Sequence, residues 1–211
     1  MKPITPIGTW PSRQSKPPAE RRHDAVQVRQ TGLPGVRLIA PQIHGDSRGF
    51  FLETYHSDRF AELGINDHFV QDNHSRSSRH TLRGLHYQLE HPQAKLCRVV
   101  HGEVLDVVVD VRLGSPHFGK WITAVLSADN HQQIYIPPGF AHGFLVLSET
   151  AEFLYKCSDF YYPDDERGIA WDDPELGIPW NLANPTLSPK DARHPRLHQV
   201  PLEFLPRYAG D

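Results

Sequence analysis

The stretch Lys95-Leu96-Cys97-Arg98-Val99-Val100-His101-Gly102-Glu103-Val104-Leu105-Asp106-Val107-Val108-Val109-Asp110-Val111 holds the decision about the fold. Two apolar runs rich in β-branched residues flank a His-Gly turn, a pattern that predicts two strands joined as a hairpin. In the second run Leu105, Val107, Val109 and Val111 share one face, while Val104, Asp106, Val108 and Asp110 share the other, because side chains alternate along a strand. The first face is core. The second carries carboxylates interleaved with valines, so it meets either solvent or a partly enclosed polar lumen.

Similar short runs extend outward from this pair, at 36–39, 50–55, 69–73, 81–87, 121–126, 133–136, 144–147 and 153–157, each bounded by turn residues. Their regular spacing predicts an all-β sandwich or barrel with short peripheral helices. One helix is expected among them, opened by Ser57 as N-cap, carrying Phe60, Ala61 and Leu63, and closed by Gly64. Residues 1–30, rich in Pro, Arg, Ser and Gln without periodicity, are expected to form a flexible tail. Residues 31–198 make one domain, and 199–211 a C-terminal tail. Past Asp164 prolines recur, so loops and one short helix near Lys190 are expected.

The whole chain has 211 residues, of which 38% are hydrophobic, enough to enclose the core of a single domain. A net charge of −3 argues against nucleic acid or an anionic membrane surface as partner. Cys97 and Cys157 are the only cysteines, are far apart, and read as reduced core residues. No apolar run is long enough to cross a bilayer and the N-terminus lacks a secretory core, so a soluble, cytoplasmic protein is expected. There is no G-x-G-x-x-G and no P-loop, which argues against nicotinamide-dependent and ATP-driven chemistry.

Two segments concentrate reactive side chains: Thr81-Leu82-Arg83-Gly84-Leu85-His86-Tyr87-Gln88, and Ile136-Pro137-Pro138-Gly139-Phe140-Ala141-His142-Gly143-Phe144. An imidazole, with an ordinary pKa of about 6.5, suits a proton acceptor near neutral pH. His86 would need an orienting carboxylate, for which Asp191 and Asp106 are the candidates. Strict alternation places Arg83 and His86 on opposite faces; both reach one cavity only if Gly84 marks a bulge or bend. Tyr155 shares a face with Phe153 and Cys157, the pattern of a core aromatic. A phenol can also return a proton opposite a histidine, which inversion of a stereocentre requires. Arg48 and Arg83 are suited to phosphate.

A strand histidine followed by Pro-x-Gly-x-x-His also resembles the metal-binding cupin pattern. Gln88 stands where those proteins carry a second histidine, and neutral glutamine is a poor transition-metal ligand. His86, Glu90 and His142 form the one combination to consider, and no metal is expected.

Taken together, Gly45-Asp46-Ser47-Arg48-Gly49-Phe50-Phe51, Phe69-Val70-Gln71-Asp72-Asn73-His74-Ser75, Leu82-Arg83-Gly84-Leu85-His86, Pro137-Pro138-Gly139-Phe140-Ala141-His142-Gly143-Phe144, Ala151-Glu152-Phe153-Leu154-Tyr155-Lys156 and Leu187-Ser188-Pro189-Lys190-Asp191 resemble the dTDP-4-dehydrorhamnose 3,5-epimerase family. This family is a metal-independent branch of the cupin superfamily, and the likeness runs from about Pro34 to Asp191. It implies a cupin-type β-barrel (jelly roll) that uses no cofactor. It makes His86 the proton acceptor supported by Asp191, Tyr155 the proton donor, and Lys95 the stabiliser of an enolate. Arg48, Glu53, Gln71, Asn73, Arg83, His142, Glu166 and Lys190 fall on substrate-contact positions, and Tyr161 on the residue that stacks against thymine. The implied substrate is a dTDP-linked 4-keto-6-deoxyhexose inverted at C3 and C5, and the implied assembly a homodimer sharing active-site residues. Rival expectations are an epimerase acting at C3 only or C5 only, a metal-dependent cupin oxygenase, and a non-catalytic sugar-nucleotide-binding module.

Overall fold

The computed structural model describes residues 26–210. Thirteen strands run in chain order: β1 (Gln27–Gln30), β2 (Arg37–Ala40), β3 (Ile43–Asp46), β4 (Gly49–Leu52), β5 (Gln71–Ser78), β6 (Leu82–Gln88), β7 (Lys95–His101), β8 (Glu103–Asp110), β9 (Trp121–Ser127), β10 (Gln133–Ile136), β11 (Phe140–Val146), β12 (Thr150–Cys157) and β13 (Glu166–Gly168). They form a six-stranded sheet ordered β1-β2-β10-β7-β12-β5, a five-stranded sheet ordered β13-β6-β11-β8-β9, and a separate β3–β4 hairpin. The expected all-β, cupin-type architecture is the one observed.

The opening stretch folds as two strands but not as a hairpin. β7 pairs with β10 and β12, while β8 pairs with β11 and β9, so His101-Gly102 carries the chain from one sheet to the other. Both edges of β7 are taken by strands distant in sequence, and a two-residue turn signal cannot register that competition. Gly102 sits at φ +73, and a Cβ there would lie 2.1 Å from the Thr150 carbonyl oxygen, so the corner closes only around glycine.

Patterning in β8 explains why its sheet is covered on both sides. Val104 and Val108 join Val99, Phe144 and Phe153 in the core between the sheets. Val107 and Val109 pack outward with Leu85, Leu145, Ile169 and Trp180, under the C-terminal part of the chain. Asp106 and Asp110 are fully buried, so the carboxylate face is internal and not a solvent face. Asp110 is matched by Arg112 at 2.8 Å and Ser115 at 2.7 Å, as a buried carboxylate must be.

Departures from expectation are local. Part of the expected N-terminal tail, Gln27–Gln30, is a strand paired with β2, and residues 1–25 lie outside the described residues. The expected C-terminal tail is packed: Val200 and Leu205 are buried, and Tyr87 Oη donates to the Phe204 carbonyl at 2.9 Å. The helix α1 spans Ser57–Glu62, with His56 in the N-cap position and no side-chain cap; Ser57 is its first residue. Phe60 anchors α1 against Ile39, Leu96 and Tyr135 on the outer face of the six-stranded sheet. The short helix expected near Lys190 is a single 3-10 turn, Asp191–Arg193.

Candidate active site

A cavity of about 480 Å³ opens between the sheets, a volume suited to a small-molecule ligand. It gathers His86, Tyr155, Asp191 and Lys95, together with Gln71, Asn73, Arg83, His142, Tyr161, Glu166 and Lys190. Two expected site residues stay outside it. Arg48 lies at the tip of the β3–β4 hairpin with an 88% exposed side chain, bonded to Asp46, and Glu53 pairs with Arg59 at 2.6 Å.

A bulge brings Arg83 and His86 to the same cavity. His86 lies opposite His142, but Arg83 lies opposite Phe144, so three steps along β6 match two along β11. The extra residue resets alternation, as the two-to-one count of a β-bulge does. Gly84, at φ +113, makes this possible, since a Cβ there would lie 2.6 Å from the Gly143 Cα. Arg83 is then steadied by a 3.0 Å bond from Nε to Ser77 Oγ.

His86 Nε2 lies 2.6 Å from Asp191 Oδ1, and its Nδ1 is 3.3 Å from Glu166 Oε1. Asp191 is 4% exposed. Burial works against its ionisation, but contacts with His194 and His86 prevail and hold the carboxyl far below the usual range. Two carboxylates thus flank the ring: Asp191 accepts from Nε2, and Nδ1 lies beside Glu166. His194 was missed by sequence reasoning: its Nε2 stands 3.7 Å from the same Asp191 oxygen, too far for a full hydrogen bond. Its i+3 spacing from Asp191 was the available signal.

Asp106, weighed as a partner for His86, belongs to His142, whose Nε2 is 2.8 Å away. Tyr155 stands on β12, in the sheet facing His86, with Phe153 and Cys157 beside it in the cavity lining. Burial above all, reinforced by the nearby thiols and Glu166, pushes its phenol up to about 12. It therefore keeps its proton at neutral pH. Glu166 accepts from Tyr161 Oη at 2.7 Å and also bonds Lys190. Burial resists ionisation of Glu166, yet Lys190 and the imidazole of His86 lower its pKa.

The metal combination considered from sequence does not assemble, because Glu90 is exposed and absent from the cavity lining. Among the described residues, His86, Asp191 and His194 are the only set with ligand atoms within 4.8 Å of one another. In that set the His86 and Asp191 atoms are already spent on each other. Gln88 has no free ligand atom either: its amide bonds the backbone of His91, Phe160 and Tyr162. Among the described residues no helix is long and apolar enough to cross a membrane.

Comparison with known proteins agrees with this geometry. Residues 30–199 match the family model for dTDP-4-dehydrorhamnose 3,5-epimerase. A protein of that name from Pseudomonas aeruginosa is 55% identical over 168 residues, covering 79% of this chain and 93% of its own. Another from Neisseria gonorrhoeae is 54% identical over 167 residues, covering 79% of this chain; the match spans about half of that relative, 51%. A Legionella pneumophila dTDP-6-deoxy-D-glucose-3,5-epimerase, solved in complex with dTDP-4-keto-L-rhamnose, superposes with a TM-score of 0.86 at 50% identity, covering 88% of this chain and 100% of that one. The bulged His86 strand, the opposing Tyr155 strand and these matches together make the chain a member of the dTDP-4-dehydrorhamnose 3,5-epimerase family.

Proposed function

We propose that the chain inverts C3 and C5 of dTDP-4-dehydro-6-deoxy-D-glucose, giving dTDP-4-dehydro-L-rhamnose for dTDP-L-rhamnose synthesis. One observation carries the assignment of roles: His86, braced by Asp191, and Tyr155 stand on facing sheets and line the same cavity as Lys95.

The C4 ketone acidifies the hydrogens on both neighbouring carbons. His86 Nδ1 takes the proton, since Nε2 is committed to Asp191, and the ionised Asp191 stabilises the imidazolium that forms. Negative charge moves to the C4 oxygen, where the Lys95 ammonium offsets it in a site partly shielded from water. Tyr155 returns a proton to the opposite face, and its raised pKa keeps it loaded. The imidazolium then loses its proton to solvent and the phenolate regains one, so the protein ends as it began. Arg83 and Lys190 supply cationic contacts for substrate, and the exposed ring of Tyr161 a stacking surface for thymine.

The same reading includes a homodimer. Ile43, Phe50 and Phe51 on the β3–β4 hairpin are 47%, 63% and 70% exposed, an apolar patch of the kind that meets a partner. Arg48 and Glu53, outside their own cavity, would then complete that of the partner subunit. A cytoplasmic location goes with it, supported by two buried, unpaired cysteines.

Incubation with the authentic keto sugar in deuterated water tests the reaction. Label at both C3 and C5 is expected. Label at one carbon makes the chain a single-site epimerase, and no label makes it a binding module.

A further inference from the structure

We propose that Gln88 and Gln93 are positioning residues that hold the segment 159–162 rigid, so that Tyr161 is presented ready-made to the nucleobase; the purpose assigned to this clamp rests on the function proposed above. The segment lies between β12 and β13 and puts Tyr161 in the cavity lining, and Phe160, Tyr161 and Tyr162 are 55%, 49% and 38% exposed. Exposed loops of this kind commonly move. Here the backbone is tied down by side chains. The Phe160 N–H donates to Asp159 Oδ1 at 2.7 Å, the Tyr161 N–H to Gln71 Oε1 at 3.0 Å, and the Tyr162 N–H to Gln88 Oε1 at 2.8 Å. Gln93 Nε2 donates to the carbonyls of Asp159 and Phe160 at 2.8 and 3.0 Å, and Gln88 Nε2 donates to the same Phe160 carbonyl at 3.1 Å.

Gln88 is 5% exposed and spends both ends of its amide on backbone, with a further bond to the His91 carbonyl at 2.7 Å. It thereby joins two loops, 89–91 and 159–162. The join is reinforced by His91 stacked on Tyr162 at 3.9 Å between ring centroids. Asp165 accepts the backbone N–H groups of Leu89, Glu90 and His91, which fixes the first loop independently. Tyr161 is held at both ends, its amide by Gln71 and its hydroxyl by Glu166 at 2.7 Å. A ring fixed before the ligand arrives loses little freedom on stacking, so the clamp acts on affinity. It does not touch the reacting carbons, so it should leave the chemical step alone.

The test compares full-length wild type with Gln88→Leu, Gln93→Ala and Tyr161→Ala. Amide hydrogen exchange at 160–162 is read without ligand, alongside dTDP affinity and steady-state kinetics. Gln88→Leu and Gln93→Ala should each speed exchange at 160–162 and raise both the dTDP Kd and KM by about tenfold, with kcat within about twofold. Gln93→Ala, at a half-buried position, keeps the test alive if Gln88→Leu does not fold. Unchanged exchange in both variants, or a fall in kcat at constant KM, overturns the clamp. If exchange rises but Tyr161→Ala binds dTDP as wild type does, the clamp stands and its assigned purpose, with the thymine-stacking role, is overturned.

Discussion

The cavity and the β3–β4 hairpin are built on opposite terms. In the cavity three pairs join groups from different elements: His86 on β6 with Asp191 in a 3-10 turn, His142 on β11 with Asp106 on β8, and Glu166 on β13 with Lys190. In the hairpin every residue of β3 is exposed, and the Arg48–Asp46 pair is local, two residues apart. Long-range pairs fix a geometry before substrate arrives, whereas a local exposed pair leaves the arginine free to be recruited. On the function proposed above, the chemistry belongs to one chain and the part of the hairpin is binding. Each of the following variants should tell those two regions apart.

The largest effect is expected at the cavity base. His86→Ala should lower kcat by about three to four orders of magnitude and abolish deuterium uptake at both carbons, as loss of a general base does. Retention of exchange would mean that the acceptor lies elsewhere, and the distinction between the two regions would fail.

Next in size is Tyr155→Phe, for which about a hundredfold loss of kcat is expected with KM little changed. The sign of its pH effect follows from its upward shift to about 12. A raised phenol pKa moves the alkaline loss of the donor to higher pH, so wild-type kcat should stay level between about pH 8 and 10. A decline centred below the ordinary tyrosine value would show that Tyr155 is not the donor.

The contrast also marks where sequence reasoning succeeds. Strands 104–111 and 133–136 were legible because their patterning is local, and the grouping of His86 with Lys95 and Tyr155 followed from motifs carried on β6, β7 and β12. What escaped depends on partners far along the chain. The β7–β8 turn reads as a hairpin until β10 and β12 claim the edges of β7. Asp106 could not be allotted between two histidines before the β8–β11 register was known. The Arg83–His86 problem was visible as a conflict in alternation, and Gly84 was its visible solution. For Arg48 and Glu53 the motif match gave a role, but the single chain leaves both outside its cavity.

A smaller effect falls on the hairpin. Arg48→Ala should raise KM by about tenfold with kcat nearly intact, the pattern of lost binding. Mixing it with His86→Ala sharpens the point. If Arg48 serves the partner subunit's cavity, a mixed dimer holds one doubly impaired site and one intact site. Random mixing then restores about a quarter of wild-type activity at substrate levels below KM. If Arg48 serves its own cavity, mixing restores nothing beyond the residual rate of the Arg48 variant.

The smallest effect is expected for Asp46→Ala. Its side chain is exposed, and its pKa is lowered by the side chain and backbone of Arg48. A solvent-screened pair of this kind adds little to folding, so Tm should stay within about one degree of wild type. Freed of its carboxylate, Arg48 has one fewer competitor for an anionic ligand, so KM should stay level or fall slightly. A KM that rises as far as in Arg48→Ala would show instead that Asp46 aims the guanidinium. The hairpin would then be a preorganised part of the site, like the cavity, and the contrast between the two regions would dissolve.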